Sequence, residues 1–290
     1  MAALLEELGD PKARGTLSDR LNPSHPCFDK ALKRRWSSFP KRERAMAVEA
    51  DSKKVARALE ATASIRHPFP VDAEDHCETS AEAYRDVSPV LSLLAKSLGK
   101  SPADLRIYDP YYCAGAVVEH LGELGFTSVH NKCEDFYAVV EQGAVPEHDV
   151  VVTNPPYSGD HVERLLRWCR ANAKPFLLLM PNYCSAKPYY EEALGGADAA
   201  RSVLCLFPWK RYMYWTPKGL RSKEKVQSQH AGSGGNRTSP FVSFWYVDLA
   251  PVITSRDLLK WWTAGAGGSP AARAAKLCRL DKLPAAVAPE

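Results

Sequence analysis

The nine residues Asp149-Val-Val-Val-Thr-Asn-Pro-Pro-Tyr157 constrain this chain more than any other stretch. A charged residue followed by three valines and a threonine reads as a buried strand, because β-branched side chains are stiff and pack well on a pleated surface. Pro155 and Pro156 then hold φ at about −65° and bias Asn154 and Pro155 towards extended backbone, so the strand stops abruptly at a polar, conformationally fixed corner. Rigidity comes from the strand, and the corner is the place for chemistry.

The groups at that corner form an informative set. With helix formation blocked, the Pro155 carbonyl faces outward as a hydrogen-bond acceptor. Asn154 adds an amide oxygen, and Tyr157 adds a flat ring with a polar tip. Two acceptors and a stacking face suit a planar group bearing NH2, such as the exocyclic amine of a nucleobase. Hydrogen bonds from its protons to fixed acceptors favour the tetrahedral, nucleophilic nitrogen over the planar one. A strand-ending proline turn without catalytic meaning is the competing reading. Asn154-Pro155-Pro156-Tyr157 resembles the catalytic motif of S-adenosylmethionine-dependent amino-methyltransferases, which act on adenine N6 or cytosine N4 in nucleic acid, and of related enzymes that methylate a glutamine amide in protein. The resemblance implies Asn154, Pro155, Pro156 and Tyr157 as catalytic residues, Tyr157 stacking on the target, and S-adenosyl-L-methionine as cofactor.

Upstream, Leu105–Asp109 reads as a short strand, Pro110–Gly115 as a turn, and Ala116–Leu124 as a helix. Strand, acidic residue, glycine turn and helix open the ligand crevice of a doubly wound sheet, with Gly115 letting backbone approach a ligand above the helix N-terminus. The turn resembles the family's Asp-Pro-x-x-Gly-x-Gly loop: Asp109-Pro110 matches its start and Cys113-Ala114-Gly115 its end, although one glycine stands where two or three are usual and Tyr111 and Tyr112 replace small residues. This implies cofactor contacts at Asp109, Tyr111, Cys113 and Gly115. After a strand at Phe126–His130, Asn131 stands where an acidic residue would hold the ribose hydroxyls, and Asp135-Phe136 resembles the segment that meets the cofactor's adenine; a capped helix start with a core phenylalanine explains the same pair. A helix from Ser80 or Ala81 to Ser97 is stopped by Gly99, and Thr79 or Ser80 can cap its N-terminus; the family resemblance implies instead that this segment, with Thr79, helps hold the methionine portion of the cofactor. Only 45 positions separate Asp109 from Asn154, too few for two complete βα units, so the domain is expected to be a shortened form.

Beyond the corner, a helix at His161–Asn172, strands at Pro175–Met180 and Ser202–Phe207, a helix at Lys187–Leu194 and a last strand at Pro240–Asp248 continue the alternation. The expected fold is α/β: a doubly wound, mainly parallel sheet, Rossmann-like, with an N-terminal helical appendage. The family resemblance adds an antiparallel hairpin at the sheet edge. Between the last two strands, Trp209, Lys210, Arg211 and Tyr212 interleave aromatics with cations, a composition suited to stacking an extruded base while holding its phosphates. An edge strand packed on the domain is the bland alternative.

The chain has 290 residues, 45% of them hydrophobic and 25% charged, ample for a core. Its net charge is only +4, so nucleic-acid binding depends on local clustering. One such cluster, Lys30 to Arg44 around Trp36, lies in a basic helical appendage over 1–66, where a solvated helical face is the alternative. The methyltransferase domain is expected over 67–254, with a mobile Lys-, Ser- and Gly-rich loop at 218–239, and a short helix with a disordered tail over 255–290. The eight cysteines include no Cys-x-x-Cys pair, and neither a signal peptide nor a membrane-length apolar run is evident. These features imply an intracellular setting, cytoplasm or nucleus, with no membrane and no metal. RNA or DNA is the expected partner, and a compact enzyme without a recognition domain leaves room for an activating protein subunit. Methylation of adenine N6 is the first reading, protein glutamine methylation the second, and a non-catalytic nucleic-acid-binding relic the third.

Overall fold

The valine run lies near the middle of a seven-stranded sheet. The computed structural model describes residues 77–209, 211–215, 237–238, 242–265 and 275–289, with a helix at Lys30–Trp36 and five isolated positions before residue 70. The chain divides into two units, Met1–Ile65 with Lys218–Leu220, and Arg66–Pro217 with Arg221–Glu290. In the first, the described element is the helix α1 (Lys30–Trp36); the rest of the expected appendage lies outside the described residues.

The second unit opens with β1 (Glu78–Thr79) and α2 (Ala81–Ser97), then β2 (Ile107–Tyr108), α3 (Ala116–Glu123), β3 (Val129–His130), α4 (Phe136–Glu141), β4 (Val150–Thr153) and α5 (His161–Asn172). It continues through β5 (Phe176–Pro181), α6 (Tyr189–Ala193), α7 (Ala197–Ser202), β6 (Leu204–Pro208), β7 (Met213–Trp215), β8 (Arg237–Thr238), β9 (Ser243–Asp248), α8 (Ser255–Thr263) and β10 (Ala275–Arg279). The main sheet has the order β10-β6-β9-β5-β4-β2-β3. β2 pairs in parallel with both β3 and β4, and β4 pairs in parallel with β5, whereas β9 runs antiparallel between β5 and β6. A parallel core followed by an antiparallel hairpin is consistent with a class I methyltransferase-like fold.

Period-two alternation explains why this sheet is covered on both sides. Val150, Val152, Leu177, Leu179, Trp245 and Val247 pack in one core with α2, α3 and α8, while Val151, Leu178, Met180, Phe244 and Tyr246 pack in a second core with α5 and α6. The start of β4 is held electrostatically. Asp149 accepts from the Arg106 backbone N–H at 2.8 Å, the Arg106 Nη2 at 2.9 Å and the Lys100 Nζ at 2.6 Å.

One expectation needs correction. The segment beyond residue 255 does not end as a disordered tail, because β10 pairs antiparallel with β6 from Ala275↔Pro208 to Arg279↔Leu204, burying Ala275, Leu277 and Cys278. Of the two candidate caps of α2, Ser80 takes the N-cap position without a side-chain capping bond, while Thr79 is a strand residue paired with Tyr214 in a separate three-stranded sheet of order β1-β7-β8. Most of the loop at 218–239 lies outside the described residues, which include only Arg237–Thr238 there, as β8. No described helix is long and apolar enough to cross a membrane.

Candidate functional site

The chain leaves β2 towards β3 on one side and returns to β4 on the other, so the strand order reverses at β2. A crevice opens at the carboxyl ends of strands where such a reversal occurs. Here a cavity of about 520 Å³ occupies that position, lined by residues of the 109–115 turn, the β1 segment, Asn131, the 134–137 segment and the 154–161 corner.

Asp109, at the end of β2, is 5% exposed. Its Oδ1 accepts from the Thr153 hydroxyl at 2.5 Å and from the Tyr111 backbone N–H at 3.2 Å. The first bond ties the two principal sequence motifs directly together. Burial pushes the Asp109 carboxyl up to about 7, against the opposing effect of those two bonds, and the nearby Glu78 adds to the rise. Glu78, a residue the sequence reading did not select, reaches the same cavity from β1. Its carboxylate is buried and accepts from the Ala114 backbone N–H at 2.6 Å, bracing the turn from beneath, and burial pushes it up as well. No local pattern marks Glu78, since its role depends on the pairing of β1 with β7.

Gly115 adopts φ +85° at the N-cap of α3, and a β-carbon there would lie 3.4 Å from the Tyr112 ring. Left-handed backbone and a close aromatic neighbour together account for glycine at this position. Cys113 lines the cavity half-buried, its thiol held protonated by burial and by Glu78. Tyr111 lines it too, with its phenol 3.1 Å from that of Tyr137, which in turn lies 2.6 Å from His161 Nδ1. Asn131 donates through Nδ2 to the backbone carbonyl of Asp109 at 3.1 Å, which leaves its buried Oδ1 without a hydrogen-bond partner among the described residues. Asp135 caps α4, with Oδ1 accepting from the Tyr137 and Ala138 N–H groups, and Phe136 packs in the second core, edge-on to Trp168. Both residues still border the cavity, so capping and ligand contact share this segment.

At the corner, Asn154 and Pro156 line the cavity, while Pro155 is buried and stands outside the lining. Among the described residues no hydrogen bond ends on the Pro155 carbonyl. Tyr157 departs from its expected role. Its phenol donates to Asn154 Oδ1 at 2.5 Å and approaches the Leu179 carbonyl at 3.0 Å, and the ring packs against the second core instead of presenting a face to the cavity. Asp160, at the N-cap of α5, makes no capping bond and lies outside the lining, 3.9 Å from Arg164.

The aromatic-basic stretch divides. Trp209 is 64% exposed and Arg211 is exposed, whereas Tyr212 is buried in the first core with its phenol 2.7 Å from Asp86, so Tyr212 offers no stacking surface. Lys210 lies outside the described residues. No group of three or more potential ligands able to hold a metal ion occurs among the described residues.

The charge pattern of the cavity is one-sided. Glu78, Asp109, Glu134 and Asp135 border it, and its described lining contains no lysine or arginine. Such a site disfavours phosphates and favours a ligand carrying positive charge. Compared with known proteins, the chain matches no family model, no curated protein and no solved structure.

Proposed function

We propose that this chain is an S-adenosyl-L-methionine-dependent methyltransferase acting on an exocyclic amine of nucleic acid, adenine N6 in RNA or DNA. The observation that carries the reading is the acidic, lysine- and arginine-free cavity at the strand ends, bordered by Asn154. The residues present fit the cofactor. Glu78 and Asp109 offset positive charge, and the unpartnered Asn131 Oδ1 accepts a hydrogen bond of the kind a ribose hydroxyl donates. Asp135 and Phe136 supply a polar and an aromatic contact for a base, and Gly115 keeps a side chain away from the turn. When bound, the cofactor supplies an electrophilic methyl group on a sulfonium. The chain's own work is to orient the amine. Asn154 Oδ1, at the cavity wall, accepts from one of its protons and raises the availability of the nitrogen lone pair. A strong base is unnecessary, because the methylated nitrogen is cationic and sheds its proton readily. Exposed Trp209 and Arg211 favour nucleic acid over a protein glutamine as the target.

Calorimetric titration of S-adenosylmethionine and S-adenosylhomocysteine into wild-type and Asp109→Ala protein tests the reading. Micromolar binding, tighter for the charged sulfonium than for the neutral thioether and weakened roughly tenfold or more in the variant, is expected. Absence of binding by either ligand to the wild type would overturn it.

A further inference from the structure

The Asn154 side chain is fixed from two sides. The Cys77 carbonyl can only accept, so the contact of 3.3 Å there must be made by Nδ2, which turns Oδ1 towards the donating Tyr157 phenol. Behind it the Tyr157 phenol also meets the Leu179 carbonyl of β5 at 3.0 Å, and its ring packs in the second core, so the hydroxyl is held where it donates to Oδ1. Cys77 immediately precedes β1, so the small sheet holds the amide nitrogen while β5 and the second core hold the phenol that meets the amide oxygen.

We propose that Tyr157 is a positioning residue for Asn154 and not the stacking surface for the target base. The claim rests on the methyltransferase reading above for its kinetic consequence, though the geometry is independent of that reading. Tyr157 occupies one lone pair of Oδ1 and fixes its direction, leaving the other for the amine. A residue that stacks acts through its ring, whereas a residue that positions Asn154 acts through its hydroxyl. The two roles therefore separate cleanly between phenylalanine and alanine substitutions.

The test pairs kinetics with a spectroscopic signature. Tyr157→Phe and Tyr157→Ala are compared with the wild type for methyl transfer to nucleic acid, and the side-chain NH2 resonances of Asn154 are followed in asparagine-labelled protein. Positioning predicts that Tyr157→Phe lowers kcat roughly tenfold with KM unchanged. It also predicts that the Asn154 resonances shift in Tyr157→Phe. Full activity in Tyr157→Phe with a raised KM in Tyr157→Ala would establish stacking and overturn the proposal. Unshifted Asn154 resonances in Tyr157→Phe would overturn it as well. Lack of transfer by the wild type would count against the function, while the resonances would still decide the positioning.

Discussion

Asp109 concentrates the physical tension of the site. Its carboxyl titrates near 7 in the folded chain, against about 3.9 in an unfolded one. Between those values the folded state holds a proton that the unfolded state releases. The associated stability is therefore fully present below about pH 4 and is lost as pH rises through 7, a loss of up to roughly 4 kcal/mol. Asp109→Asn keeps an oxygen to accept from Thr153 and Tyr111 but cannot ionise. Thermal melts across pH should find the ligand-free variant more stable than the wild type at pH 8 and similar to it at pH 5. A wild type equally stable at both values, relative to the variant, would contradict this account of the carboxyl. The arrangement is costly for an ionised carboxyl alone and makes sense when a cation shares the crevice, since a nearby positive charge favours the ionised form.

At the scale of elements, β2 and β4 must hold register for Asp109 and Thr153 to meet, and Asp149 secures that register. Burial disfavours its ionisation, but bonds from Arg106 and Lys100 outweigh that effect and hold the carboxyl well below the usual range. Its contribution is present above about pH 4 and fades as pH falls further. Asp149→Ala should lower unfolding stability by about 2 kcal/mol at neutral pH, read from the denaturant midpoint, with a smaller difference in strong acid. The elements legible in the sequence were those whose pattern is local. The valine run, the apolar stripe at Leu91, Leu94, Ala95 and Leu98, and the turn at Gly115 each announce themselves by period or by backbone demand. What escaped was set by distant pairing. Glu78 and Thr79 sit in a strand because Trp215 and Tyr214 lie opposite, and Ala275–Arg279 is a strand because β6 offers an edge. In the aromatic-basic stretch, composition could not say that Trp209 and Arg211 face solvent while Tyr212 and Tyr214 enter the core. The Asn154 corner was readable as chemistry, but the inward turn of the Tyr157 phenol depends on Leu179, a residue well separated from it in sequence.

The molecule as a whole pairs an acidic crevice with a fixed acceptor. A sheet with both faces covered brings the ends of β2 and β4 together, the small sheet braces the turn after β2 through Glu78, and the result is an acidic crevice beside an immobilised amide. The proposed function gives such a crevice two tasks, binding a cationic cofactor and polarising a neutral amine, which would meet at Asn154. The most direct measurement is transfer of a labelled methyl group from S-adenosylmethionine into separate RNA, DNA and protein pools by wild-type and Asn154→Ala protein. The account predicts label in a nucleic-acid pool, recovered as N6-methyladenine, and a loss of about 100-fold or more in the variant with cofactor affinity retained. Label recovered only in protein, or equal transfer by the two proteins, would contradict it.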